Sequence, residues 1–111
     1  MARDRSGALV HGTLDMLLLT TQTHRSMHGY AIALAIHERS EEVLRVEEGS
    51  LYPALHRLEL AGFLESEWKL SDANRKAKFY RITPAGRKRL TAESQNWARL
   101  ATGIAKVMGT A

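Results

Sequence analysis

The clearest structural pattern in this chain lies in residues 48–58, Glu48-Gly49-Ser50-Leu51-Tyr52-Pro53-Ala54-Leu55-His56-Arg57-Leu58. Apolar side chains recur every three or four residues and therefore share one side of a helix. They are Leu51, Ala54, Leu55, Leu58 and Ala61. The other side carries Tyr52, Pro53, His56 and Arg57. The pattern predicts a short helix with one buried side and one side available for contact.

Single residues predict both ends of this helix. Ser50 can cap the first turn by accepting a hydrogen bond from a free backbone N–H. Pro53 is tolerated nearby because first-turn N–H groups have no intrahelical partner. Gly62 stands where a left-handed residue ends a helix. The exposed side suits a groove of DNA, although an ordinary amphipathic surface helix shows the same polar side.

Composition predicts one small domain, with or without an extra helix. The chain has 111 residues, 44% of them apolar, and no cysteine, which excludes disulfides and thiolate metal sites. The longest apolar run, Met16-Leu17-Leu18-Leu19, is too short to span a bilayer, and residues 1–15 do not resemble a signal peptide. We therefore expect a cytoplasmic protein without a membrane partner.

Basic residues are concentrated in residues 69–89. This segment holds eight lysines and arginines against the single acidic residue Asp72, a net charge of +7. Because the whole chain carries +4, the remainder carries −3. One strongly basic segment on a mildly acidic protein indicates an anionic partner, with nucleic acid as the first candidate and a solvated charged surface as the alternative.

The order of predicted elements is helix, helix, helix, strand, strand, helix. The first helix covers residues 9–21, and the second is capped by Ser26 or His28 and runs to about Arg39. Residues 63–69 and 78–83 form two strands joined by a turn over residues 70–77. Thr83-Pro84 begins a last helix that runs nearly to Met108.

This order predicts a mainly α fold with a two-stranded β-hairpin, the winged helix-turn-helix. Residues 1–83 are expected to form the DNA-binding domain and residues 84–111 a C-terminal dimerisation helix.

Apolar residues of the last helix recur with a spacing of seven. Leu90, Trp97 and Ile104 form one series, and Leu100 and Val107 form a second series offset by three. Such a seam is typical of paired helices, so we expect it to form a homodimer interface. The alternative is that the helix folds back on its own domain.

The motifs resemble the PadR family of transcriptional regulators. The matching residues are His28-Gly29-Tyr30, the whole of residues 48–58, Ala61-Gly62-Phe63-Leu64, and Lys78-Phe79-Tyr80-Arg81-Ile82-Thr83-Pro84-Ala85-Gly86. The resemblance implies a homodimeric DNA-binding regulator of the short branch, usually a repressor and often released by a small-molecule effector. In some relatives aromatic residues of paired C-terminal helices flank a ligand pocket, which makes Trp97 a candidate ligand-binding residue or a large residue of the dimer core.

Two features of this sequence depart from the family pattern. Phe79 stands where tyrosine is more usual, and the predicted wing contains no glycine. Asn74 can supply a left-handed turn residue in its place.

Candidate DNA contacts lie on the third helix and on the hairpin. Arg75, Lys76 and Lys78 are expected to neutralise phosphates, and Asn74 to meet a phosphate or a minor-groove edge. Bases should be contacted by Tyr52, Pro53, His56 and Arg57, with Ser50 on a phosphate. Arg57 could instead pair with Glu59 or Glu48. Tyr30 is expected in the core.

We predict no catalytic residue, metal or cofactor. The sequence has no glycine-rich phosphate loop and no paired carboxylates, and its five histidines lack nearby acidic ligands. The alternative to DNA binding is a winged helix used only for protein interaction, which would favour an acidic or apolar third helix. RNA binding would require more exposed stacking aromatics.

Overall fold

The computed structural model describes residues 13–110. Within that range helix α1 covers residues 13–21, and the elements that follow are β1 (Met27–His28), α2 (Gly29–Arg39), α3 (Glu48–Leu60), β2 (Leu64–Leu70), β3 (Lys76–Ile82) and α4 (Pro84–Met108). The predicted order of helices and hairpin strands is confirmed. The start predicted for the first helix, Leu9, lies outside the described residues.

The sheet has three antiparallel strands in the order β1-β3-β2. Strands β2 and β3 form the hairpin, in which Trp68 lies opposite Lys78. The prediction of a two-stranded hairpin missed β1, where Met27 pairs with Tyr80. A strand of two residues is too short to show the alternation by which strands are recognised in a sequence.

The core lies where the first three helices meet the base of the hairpin. Its fully buried leucines and isoleucine come from each of these helices and from β2, and they include Leu18, Ile32, Leu51, Leu55 and Leu64. Burying each such side chain contributes about 1.5–3 kcal/mol to folding. The predicted apolar side of α3 is confirmed as far as Leu58, whereas Ala61 lies beyond the helix and is exposed.

Three predicted helix ends are confirmed by their hydrogen bonds. His28 caps α2 by accepting from the Ala31 N–H at 3.3 Å. Thr83 caps α4 by accepting from the Gly86 N–H at 3.0 Å. Gly62, with φ of 84°, ends α3 in a left-handed turn where the Phe63 N–H donates to the Leu58 carbonyl at 2.9 Å.

The predicted cap of α3 is wrong. The helix begins at Glu48, two residues before Ser50, and the Leu51 N–H donates to the Glu47 carbonyl at 2.9 Å. Glu48 and Gly49 adopt helical conformation, so Ser50 lies inside the first turn with its side chain exposed. Within residues 13–110 its hydroxyl makes no hydrogen bond, so it can contact a partner at this surface.

Helix α4 extends away from the rest of the fold. Leu90 packs against the core, but Trp97, Leu100, Ile104 and Val107 are exposed in the single chain. The 25 residues of α4 span about 37 Å, which accounts for the elongated dimensions of 51 × 27 × 27 Å. No helix within residues 13–110 is both long enough and apolar enough to cross a membrane.

Candidate nucleic-acid interface

The outer side of α3 presents the side chains that the sequence predicts. Tyr52, Pro53 and His56 are exposed, and the exposed Ser50 lies one turn before Pro53. Because the apolar residues of α3 are anchored in the core, this outer row has a fixed orientation on the surface. A helix held in this way can enter the major groove, which is wide enough to admit it.

Tyr52 is held by a close approach between α3 and the start of α2. A Cβ atom placed on Gly29 would lie 2.6 Å from the Tyr52 Cε1 atom, so any larger residue there would require the ring to move. The ring therefore packs against α2 while almost half of the tyrosine remains exposed. This contact explains why glycine stands at the first position of α2.

Tyr30, the neighbour of that glycine, is not in the core as predicted. It is 69% exposed, because the buried side of α2 is formed by Ile32 and Ile36. Successive helical residues are 100° apart, which places Tyr30 about 200° from Ile32 on the opposite side. The exposed phenol lies beside the segment that orients Tyr52.

Arg57 forms an ion pair with Asp15 of α1. Both terminal nitrogens of the guanidinium donate to the carboxylate oxygens at 2.9 Å. These hydrogen bonds raise the pKa of Arg57 above its ordinary value. Asp15 is buried, whereas about half of the Arg57 side chain is exposed. The partner is thus neither Glu59 nor Glu48, the alternatives that sequence reasoning considered.

Glu59 connects α3 to the hairpin. Its carboxylate accepts a hydrogen bond from the Ser66 hydroxyl at 2.5 Å and lies 3.1 Å from the Lys78 ammonium. The Ser66 hydrogen bond and the Lys78 charge lower the pKa of Glu59 despite its partial burial. This network holds Lys78, a predicted phosphate contact, next to the C-terminal end of α3.

The tip of the hairpin is an ordered turn without glycine. The Ser71 N–H donates to the Arg75 carbonyl and the Asn74 N–H donates to the Ser71 carbonyl, each at 2.8 Å. Asn74 has φ of 59°, so it takes the left-handed conformation expected for it. Arg75 on the turn and Lys76 at the start of β3 are both exposed, and neither makes an ion pair within the described part of the chain.

The predicted residues thus lie on two neighbouring surfaces joined by Glu59. Sequence reasoning missed Asp15 and Glu59 as their anchors, and it also missed Trp68 and Leu70, which are exposed on the hairpin. A signal for Asp15 was present, since a carboxylate among apolar residues of a buried helix requires a partner. No comparable pattern in the sequence marked Glu59, Trp68 or Leu70.

A groove separates α4 from the body of the fold. Its volume is about 720 Å³, and its walls come from α1, from the connector before α3, from Ser50 in the first turn of α3 and from α4. The apolar lining includes Leu14, Leu17, Leu44, Val46, Trp97, Leu100 and Ile104. The predicted ligand residue Trp97 therefore lies on a cavity, together with Leu100 and Ile104 of the predicted dimer seam.

The sequence matches the transcriptional regulator PadR-like family over residues 16–92. A transcriptional regulator of Mycobacterium tuberculosis is 44% identical over 78 residues, which cover 70% of this chain and 69% of that protein.

Solved structures show the same architecture. A transcriptional regulator from Clostridium thermocellum has a TM-score of 0.81 at 27% identity, with 89% of this chain and 96% of that chain covered. A PadR family transcriptional regulator from Eggerthella lenta has a TM-score of 0.76 at 30% identity, with 99% and 97% covered. The matched family consists of transcriptional regulators rather than enzymes. From its sequence match and its fold, this chain belongs to the PadR-like family of transcriptional regulators.

Proposed function

We propose that this chain is a homodimeric repressor that binds a palindromic operator in double-stranded DNA. Residues 1–83 serve as the DNA-binding domain and residues 84–111 as the dimerisation helix. The observation that carries the proposal is the Glu59 network, which holds the exposed side of α3 next to a cationic hairpin. A helix for the major groove and a charged wing for the adjacent backbone are thereby combined on one surface.

The wing supplies most of the sequence-independent affinity in this proposal. Arg75 and Lys76 neutralise phosphates, because both are exposed and neither is paired within residues 13–110. Asn74 meets a phosphate or a minor-groove edge from the tip of the turn. Lys78 contributes a charge whose position Glu59 determines.

Helix α3 supplies the sequence preference. Tyr52, Pro53 and His56 meet base edges, and Ser50 donates its free hydroxyl to a phosphate. Arg57 takes part while bound to Asp15, because a guanidinium has five N–H donors and only two are used in the ion pair. One good arginine–guanine contact is worth about 1–3 kcal/mol of discrimination.

Dimerisation pairs the two copies of α4. The residues of this interface are Leu90, Trp97, Leu100, Ile104 and Val107. Trp97, Leu100, Ile104 and Val107 are exposed to water in the single chain. An exposed apolar surface of this kind supports the proposal that a second chain covers it. Leu90 already packs against its own core, so it contributes only its remaining exposed part. Two α3 helices held about 34 Å apart would then contact successive turns of one DNA face.

A small-molecule effector binds in the groove beside Trp97 and releases the repressor. The groove supports this part of the proposal because its walls come from three separate helices and from the connector before α3. Leu14 and Leu17 lie on the same helix as Asp15, which holds Arg57. An occupant that displaces α1 would therefore also displace the contact side of α3.

The experiment is selection of bound DNA from a random pool with the purified full chain, followed by sequencing. We expect an enriched inverted repeat whose half-sites are about 10 base pairs apart. Sedimentation of the complex should show two chains per duplex. Failure to retain any DNA at low ionic strength would overturn the proposal in favour of a protein-interaction module.

A further inference from the structure

One face of the hairpin contacts α3 at its base and extends beyond that contact toward the tip of the wing. Strand residues two apart share a side, and directly opposed residues on neighbouring strands share it too. Ser66 on this side binds Glu59 of α3. The next residues outward are Trp68 and Leu70 on β2, opposite Lys78 and Lys76 on β3. We call these four residues the inner wing face.

The two apolar residues of the inner wing face are exposed. Trp68 is 61% exposed and Leu70 is 63% exposed, although both continue the row that begins with the buried Leu64. The row leaves the core because the hairpin extends beyond the end of α3. On the opposite side of the hairpin the aromatic residue is covered. Phe79 there packs against His28 and lies under the Lys69 ammonium.

The surroundings of this apolar pair are cationic. Lys78 lies opposite Trp68, Lys76 lies opposite Leu70, and Arg75 precedes Lys76 in the turn. The carboxylate nearest to this side, Glu59, already binds Ser66 and Lys78, and Asp72 is the one acidic residue of the turn. An apolar pair framed by positive charge matches a polyanion that also has apolar faces, as DNA has in its sugars and bases.

We propose that Trp68 and Leu70 form an apolar wedge that enters the minor groove beside the half-site bound by α3. The indole packs on deoxyribose and base edges, and Lys76 and Lys78 on the neighbouring strand hold adjacent phosphates. Apolar wedges of this kind partly unstack base steps and favour easily deformed sequences. The wedge therefore adds a preference for particular DNA sequences at base pairs that α3 does not contact. This inference rests on the proposed DNA binding.

Affinity for the selected operator tests the wedge first. Trp68→Ala should weaken binding by at least about fivefold for each half-site, because aromatic contact with a single base contributes that much or more. Trp68→Phe should retain most of the affinity, since it keeps an aromatic face. Leu34→Ala is the control, because Leu34 is an exposed apolar residue on α2, outside both the inner wing face and the contact side of α3.

Tryptophan fluorescence supplies a readout that a merely structural role would not move. The chain has two tryptophans, so the difference between the parent and Trp68→Phe isolates the signal of Trp68. We expect operator DNA to quench the tryptophan fluorescence of the parent protein. In Trp68→Phe most of this quenching should be lost.

The outcomes separate this inference from the proposed function. If the parent binds its operator but Trp68→Ala binds equally well and the quenching persists in Trp68→Phe, the wedge is wrong while DNA binding stands. That result would assign the exposed pair to a protein partner. If the parent binds no DNA at all, both the wedge and the proposed function fail.

Discussion

Arg57 on α3 and Asp15 on α1 form a bidentate ion pair in which each terminal nitrogen lies 2.9 Å from a carboxylate oxygen. The contact joins the helix proposed to enter the groove to the helix that lines the cavity beside α4. A pair of this kind combines charge with fixed geometry, since two parallel hydrogen bonds define the plane of the guanidinium. The orientation of α3 therefore depends on α1 as well as on the core.

This ion pair should contribute to stability as a coupled unit. Arg57→Ala leaves the buried Asp15 carboxylate without its partner and should lower the free energy of unfolding by about 1–3 kcal/mol. Adding Asp15→Asn should cost less than the sum of the two single effects, because the unpaired charge is then gone. Urea denaturation of the parent, both single variants and the double variant measures the coupling. If the losses in unfolding free energy of the two single variants simply add in the double variant, the two residues are not coupled.

The wing cations should determine how binding depends on salt. Arg75→Ala combined with Lys76→Ala should weaken binding to operator and random DNA alike, because phosphates carry no sequence information. For the dimer, which loses four phosphate contacts in total, the slope of log K against log salt should become shallower by about 3.6 units. Lys88→Ala combined with Arg99→Ala removes the same charge from α4 and should retain the parent's slope. Equal slopes in all three proteins would exclude the wing contact.

Glu59 should make stability sensitive to acid. Ser66 and Lys78 hold its pKa below the ordinary value of 4.5, so the ionised carboxylate is favoured in the folded state. Its contribution is therefore fully present above that ordinary value and is lost as the pH falls through the lower folded-state pKa. Thermal unfolding between pH 7 and pH 3 should show a smaller acid loss in Glu59→Gln than in the parent.

The matched substitution for this experiment is Glu67→Gln, on the exposed opposite side of β2. It should follow the pH dependence of the parent. A profile of Glu59→Gln that superimposes on the parent would show that the network joining α3 to the wing does not stabilise the fold.

Trp97 should control the association of two chains. Trp97→Ala should weaken the dimer by at least about 2 kcal/mol, because large aromatic residues dominate such interfaces and the substitution acts in both copies. Sedimentation equilibrium over a range of concentrations measures the dissociation constant. Trp68→Ala, the same truncation on the hairpin, should leave dimerisation unchanged. A parent protein that remains monomeric at high concentration would remove the basis for this prediction.

Much of the fold was predictable because its signals are local. Thr83-Pro84 and Gly62 mark helix ends through hydrogen bonds that reach only three to five residues along the chain. The predicted last helix, from Pro84 nearly to Met108, is confirmed for the same reason. The cap predicted at Ser50 was wrong because α3 begins earlier, at two residues whose helical conformation no strong local signal marks.

Amino-acid order alone specified the winged helix, the cationic hairpin and the exposed side of α3, because periodicity, turn residues and charge can all be recognised along one segment. Packing between distant segments specified the rest. Arg57 meets a carboxylate 42 positions away, and Tyr52 rests on Gly29, a pair that only the crossing of α2 and α3 brings together. Trp68 and Leu64 occupy equivalent positions in one alternating strand. One is exposed and the other buried because α3 covers only the base of the hairpin, and the extent of that cover depends on the position of another element.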